Sequence, residues 1–162
     1  MVYALDTNII IHLLHNTRPV IMRFDEKMAQ RTRIAIPPYV DYEIRRGLRY
    51  VNATAKERAY GRLCNVCEMG EMRRETWVCA SNLYTNLRHA GYTVGDADII
   101  IGAFCIVDGY TLVTNNISDF INMKELALED WVYKNWRQLR GLGRLRRRYV
   151  RLSCLWKSAR TK

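Results

Sequence analysis

Acidic side chains beside apolar runs are the first chemistry legible in this chain. Asp6 ends the run Val2–Leu5, Glu43 lies in an amphipathic stretch, Asp96 and Asp98 open an apolar one, and Asp119 follows Thr114-Asn115-Asn116. An ionised carboxylate at the end of an otherwise apolar strand costs several kcal/mol unless it is paired or binds a cation. Carboxylates that converge without His or Cys partners favour a hard, oxygen-liking ion, Mg²⁺ or Mn²⁺. Ions held in this way activate water and stabilise the charge that builds on the leaving oxygen during in-line attack on a phosphodiester. Each acid also has a plainer reading. Asp96 and Asp119 can cap helices, Asp98 can sit in the field of a helix N-terminus, and Glu43 can pair on the surface with Arg45, Arg46 or Arg49. The co-occurrence of the acids, rather than any one of them, points to phosphoryl chemistry.

Competing chemistries lack their residues. There is no G-x-x-x-x-G-K-[ST] phosphate loop, no G-x-G-x-x-G after a strand and no G-x-S-x-G elbow. His12, His15 and His89 are scattered and read as helix residues. Cys64 and Cys67 form a C-x-x-C, but no second pair follows at zinc spacing. Together with Cys79, Cys105 and Cys154 they make an odd number of thiols in mostly apolar surroundings, which suits core packing in a reducing compartment. No run approaches the roughly 20 apolar residues of a membrane span. Asp6 also falls where a signal peptide needs apolar residues, so the expected location is the cytoplasm, without membrane attachment.

These acids need elements to position them. Val2–Leu5 reads as a strand ending at Asp6, with Thr7 and Asn8 as N-cap residues for a helix over 9–15. A helix is expected over 20–31, and a strand over 34–36 stopped by Pro37 and Pro38. The helix expected over 40–50 has Val40, Ile44 and Leu48 four apart and carries Glu43. Further along, the pattern predicts a helix over 53–69, a strand over 76–79 and a helix over 80–89 closed by Gly91. A helix over 96–107 closed by Gly109 and strands over 111–114 and 126–128 complete the chain. Short strands alternating with helices predict an α/β fold: a three-layer sandwich with a short-stranded, mainly parallel central sheet flanked by helices. Such sheets bind ligands at the carboxyl ends of their strands, so Asp6 and Asn115 are expected to face one cleft.

At this point the motifs match a known family. Leu5-Asp6-Thr7-Asn8, Tyr42-Glu43-Ile44 with Gly47, Gly95-Asp96-Ala97-Asp98 running into Ile99-Ile100-Ile101-Gly102-Ala103, and Leu112-Val113-Thr114-Asn115-Asn116 with Asp119-Phe120 resemble the PIN domain. More specifically they are similar to the VapC-type toxins of bacterial toxin–antitoxin pairs. The resemblance covers about residues 1–131. It implies a Mg²⁺- or Mn²⁺-dependent endoribonuclease, neutralised by a cognate antitoxin and assembled as a homodimer within a toxin–antitoxin hetero-oligomer. By the same resemblance Asp6, Glu43 and Asp98 are the core carboxylates, with Asp6 and Asp98 as direct metal ligands and Asp96 as an accessory acid. Asn115 and Asn116 stand where many relatives carry an Asp, leaving Asp119 as the nearest fourth acid. Thr7, Asn8 and Thr114 are expected to orient the carboxylates. Two other readings stay open: a catalytically silent RNA-binding module, and a housekeeping PIN nuclease without an antitoxin.

The net charge of +10 is unevenly spread. Residues 1–133 hold 15 basic and 16 acidic side chains, whereas the 29 residues 134–162 hold 11 basic and none acidic. The division predicts a nuclease domain over 1–133 and a basic extension over 134–162. In that extension Arg144, Arg146, Arg147, Arg148 and Arg151 are interleaved with Trp136, Tyr149 and Trp156, a composition suited to phosphate contacts and base stacking on RNA. Trp136, Leu139, Leu142 and Leu145 recur at three-residue steps, so docking on the body, contact across a dimer, and a functionless extension remain alternatives.

Overall fold

The structure is a computed structural model and describes residues 1–133. The basic extension, with Arg144, Arg146, Arg147, Arg148, Arg151 and Cys154, lies outside the described residues. Five parallel strands form one sheet in the order β3-β2-β1-β4-β5, with β1 Val2–Leu5, β2 Arg33–Ile36, β3 Glu68–Met69, β4 Thr111–Val113 and β5 Ala127–Glu129. Between β1 and β2 run α1 (Thr7–Leu14) and α2 (Arg18–Ala29), and between β2 and β3 run α3 (Pro38–Tyr50) and α4 (Thr54–Cys64). The return from β3 to β4 uses α5 (Arg74–His89) and α6 (Asp96–Asp108), and α7 (Ile117–Phe120) joins β4 to β5. The first two crossovers step toward one edge of the sheet and the third steps back across it. Right-handed crossovers in opposite directions cover both faces with helices, which gives the expected layered α/β architecture.

The register explains the burial. Ala4 pairs with Ala35 on one side and Leu112 on the other, and Val2–Leu5 is buried at every position, as a central parallel strand must be. Leu5, Ile36, Leu112, Ile9, Ile10, Val40, Ile101 and Phe104 form the middle of the core. Trp131 packs on Tyr3 with ring centroids 5.9 Å apart, so the chain just beyond β5 is anchored across β1.

Most expected elements are present with shifted ends, and two are corrected. The helix expected over 53–69 stops at Cys64, and Glu68–Met69 pairs with β2 as an edge strand clamped by the Arg33–Glu68 ion pair. The strand expected over 76–79 is the first part of α5. Its β-branched residues suggested a strand, but Thr76, Ala80 and Leu87 form a helical stripe buried against the core, and packing on α6 overrides local preference. Asp6, rather than Thr7 or Asn8, is the N-cap of α1, and Gly95 rather than Asp96 precedes α6. Gly109 ends α6 with φ +65°, a left-handed conformation that glycine adopts without strain.

Candidate active site

The strand order makes a switch point between β1 and β4, because the chain leaves these neighbours in opposite directions. A crevice opens at the carboxyl ends of such a pair. Asp6 and Thr114 sit there, directly after β1 and β4. Asp6 N–H donates to the Val113 carbonyl at 3.0 Å and continues the ladder, while its side chain turns into the gap and caps α1.

Asp6 is 5% exposed, and its carboxylate accepts several hydrogen bonds. Oδ1 accepts from Thr7 N–H at 2.7 Å, and Oδ2 accepts from Asn8 Nδ2 and from Thr114 Oγ1, both at 2.6 Å. Asn8 also donates to Thr114 Oγ1 at 3.1 Å and accepts from Asn115 N–H at 3.2 Å. Asn116 N–H donates to Thr114 Oγ1 at 3.0 Å, and Asn116 Nδ2 donates to Asp119. On the other side Thr7 Oγ1 donates to Glu43 Oε2 at 2.6 Å. One connected network therefore joins Asp6, Thr7, Asn8, Glu43, Thr114, Asn115, Asn116 and Asp119. The surface pairing of Glu43 with an arginine gives way to this bond with Thr7, and Arg45 instead grips Asp41 at 2.8 Å. Tyr60 Oη also donates to Asp41 at 2.8 Å, which ties α4 to α3 and steadies the helix that carries Glu43.

Asp98 reaches the same edge by topology. Gly109 turns α6 straight into β4, so α6 runs against the strands and its first turn lies beyond their carboxyl ends. Cys105 lies two turns further along the same side of α6 as Asp98. Burial first, and then the charge of Asp6, push its thiol well above its ordinary range. Asp98 thus shares a side of α6 with the buried Cys105. Asp96, in the same first turn, is exposed.

Burial raises the Asp6 carboxyl to about 6 from its ordinary 3.8, against the lowering effect of its hydrogen bonds, and the charge of Glu43 adds to the rise. Two acids in each other's field, one of them dry, oppose full ionisation unless a cation joins them. The donors at the crevice are all oxygens of carboxylate, hydroxyl or amide groups, the chemistry a hard divalent ion takes. Among the described residues, no three His, Cys, Asp or Glu side chains already stand together as a metal-holding group. The assembled part is the pair Asp6 and Glu43, with Asp98 on the adjoining helix. The four cysteines within the described residues are free thiols, with Cys67 and Cys105 buried.

The PIN domain family model matches residues 3–126 of this sequence. The chain belongs to the PIN domain family. Within it, the chain is 29% identical over 134 residues to Ribonuclease VapC2 of Rickettsia felis, covering 81% of this chain and 98% of the relative. The PIN fold here superimposes on VapBC2 from Rickettsia felis, solved bound to a DNA fragment from their promoter, with TM-score 0.75 and 26% identity over 81% of this chain and 99% of that one. VapBC-1 from nontypeable Haemophilus influenzae shares the fold, with TM-score 0.73 and 23% identity, covering 82% of this chain and 100% of that chain. Among the described residues of this PIN domain, no helix is long and apolar enough to cross a membrane.

The four carboxylate motifs were legible in the sequence, and so was the assignment of Thr7, Asn8 and Thr114 to their support. The bracing of α3 through Asp41, Arg45 and Tyr60 was not. Its one sequence signal is the four-residue spacing of Asp41 and Arg45 on a helix.

Proposed function

We propose that this PIN domain is a Mg²⁺-dependent endoribonuclease that acts as the toxin of a toxin–antitoxin pair, in the cytoplasm, and is silenced by a cognate antitoxin. The observation that carries the reading is the buried Asp6 carboxylate at the β1/β4 switch point, joined through Thr7 to Glu43 and overlooked by Asp98. A relative that matches over nearly its whole length bears the name ribonuclease, and the solved VapBC assemblies support a protein partner. A homodimer inside a larger hetero-oligomer is part of the same reading.

Asp6 and Asp98 would hold Mg²⁺ or Mn²⁺, with Glu43 alongside, and the ion supplies an activated water and a counter-charge for the leaving oxygen. The chain's own residues do the positioning. Thr114 and Asn8 fix the rotamer of Asp6, and Thr7 holds Glu43 with one oxygen engaged and the other available to orient water. Asn116 keeps Asp119 at the rim of the crevice, and Asn115 is locked by its backbone to Asn8.

The test is cleavage of RNA by the purified full chain. Asp6→Asn and Asp98→Asn are each expected to lower the rate in Mg²⁺ by at least about a hundredfold with a native circular dichroism spectrum, and chelation should silence the wild type. Wild-type rates in either variant would overturn the assignment.

A further inference from the structure

On α3, beside Glu43, the exposed Tyr42 and Arg46 form a cluster with Tyr39, whose ring is partly buried against the core. Tyr42, the residue before Glu43, is 52% exposed. The Arg46 guanidinium lies over its ring, 5.0 Å from the centroid, and Arg46 Nη1 donates to Tyr42 Oη at 3.4 Å. Tyr39 meets the same ring edge-on, with centroids 5.8 Å apart and planes at 61°. Tyr39, Glu43 and Arg46 follow one another at steps of four and three residues, so they share a side of α3, and Tyr42 adjoins it. The hydrogen bond to Tyr42 holds Arg46 more firmly protonated than usual, with burial opposing and the charges of Tyr42, Glu43 and Tyr39 adding.

Two physical needs meet at this cluster. A crevice of carboxylates repels a phosphate backbone, and residues 1–133 carry 15 basic against 16 acidic side chains, so the body offers no general attraction to offset that repulsion. Contacts beside the crevice, together with any from the basic extension, offset it. An aromatic ring already braced by a guanidinium and a second ring loses little freedom when a base stacks on it, and the guanidinium is a donor fork for a phosphate.

We propose that Tyr42 and Arg46 form a stacking platform for one unpaired base of the RNA, seating the adjoining phosphodiester over Asp6 and Glu43. The proposal rests on the ribonuclease reading and deepens it, because a base paired within a duplex has no free face for Tyr42. Single-stranded segments are the substrates this platform selects.

Steady-state cleavage of a short, labelled, mixed-sequence single-stranded RNA in Mg²⁺ tests it. Tyr42→Ala is expected to raise KM about tenfold with kcat little changed, the size of one lost base–aromatic stack and the pattern of lost uniform binding. Arg46→Ala should move KM in the same direction, and Tyr42→Phe, which keeps the ring, should restore most of the loss. In the Asp6→Asn background, fluorescence anisotropy with the same RNA should show Tyr42→Ala weakening Kd by a similar factor. If the wild type cuts no RNA, the catalytic reading fails while the anisotropy difference still reports on the platform. Wild-type KM and Kd in Tyr42→Ala would overturn the proposal, and so would an unchanged Kd for RNA combined with weakened association with the antitoxin, which would assign the surface to a protein.

Discussion

Asp6 is held in a position that stability alone would not select. Burial, with the charge of Glu43 adding, pushes its carboxyl up to about 6 from its ordinary 3.8. The folded state therefore takes up a proton more readily than the unfolded one. Stability from this group is full below about pH 4 and is lost as pH rises through about 6, a difference on the order of 3 kcal/mol. In chelated protein the unfolding free energy of the wild type, relative to Asp6→Asn, should therefore fall between about pH 4 and 7, and Mg²⁺ should restore much of it at the upper end. Denaturant titrations at several pH values check this, and a difference that stays flat with pH would show that Asp6 ionises without cost. Thr114 has the complementary role. Its hydroxyl donates to Asp6 and accepts from Asn8 and Asn116 while fully buried. Thr114→Val should cost about 1–3 kcal/mol and lower kcat, with Thr114→Ser restoring both. Paired chemical denaturation and cleavage assays read the two effects.

At the scale of elements, two helices bring acids to the strand ends and each has its own support. α3 is braced by Tyr60 and Arg45 on Asp41, two residues before Glu43. α6 packs closely because Gly102 has no side chain: a Cβ there would lie 2.4 Å from Met123 Sδ and 3.6 Å from Leu126. Gly102→Ala should destabilise the domain by about 1–3 kcal/mol through overpacking, and pairing it with a smaller residue at Met123 should give a non-additive total. Thermal unfolding of the two single variants and the double variant measures that coupling. Additive losses would mean that α6 and the 121–126 segment do not compete for this space. The carboxylate-bearing strand ends were legible because apolar runs stop at an acid and a capping residue follows. β3 and the start of α5 were not, since a two-residue edge strand has no period and the β-branched residues of α5 are packed as a helical stripe.

Across the whole molecule the charge divides by position rather than spreading evenly. The described body is close to neutral and the extension over 134–162 holds the excess. Asp130 caps the backbone of Val132 and Tyr133, and Trp131 is buried on Tyr3, so a cut after Tyr133 leaves the body's closing contacts in place. The truncated chain is expected to keep its fold and its Mg²⁺-dependent cleavage. On the RNA-arm reading of the extension, its affinity for RNA should lose most of its salt dependence, since the logarithmic slope scales with the number of phosphates neutralised. Binding isotherms at several salt concentrations decide this, and an unchanged slope would assign the extension to docking or to no role in RNA binding.

The sequence by itself determined the class of fold and where the candidate acids fall along the chain, because strand ends, caps and helical spacing are local and each motif lies within a few residues of chain. It also separated a neutral body from a cationic extension by simple count. Only the tertiary structure decided that Asp6 and Thr114 share a switch point, that Thr7 rather than an arginine takes up Glu43, and that Tyr42 stands braced beside it. Those relations join residues up to 108 positions apart, as in the Thr114–Asp6 hydrogen bond. Strand order, which no local pattern encodes, sets which distant side chains meet in one dry crevice, and burial there sets the proton affinity of Asp6.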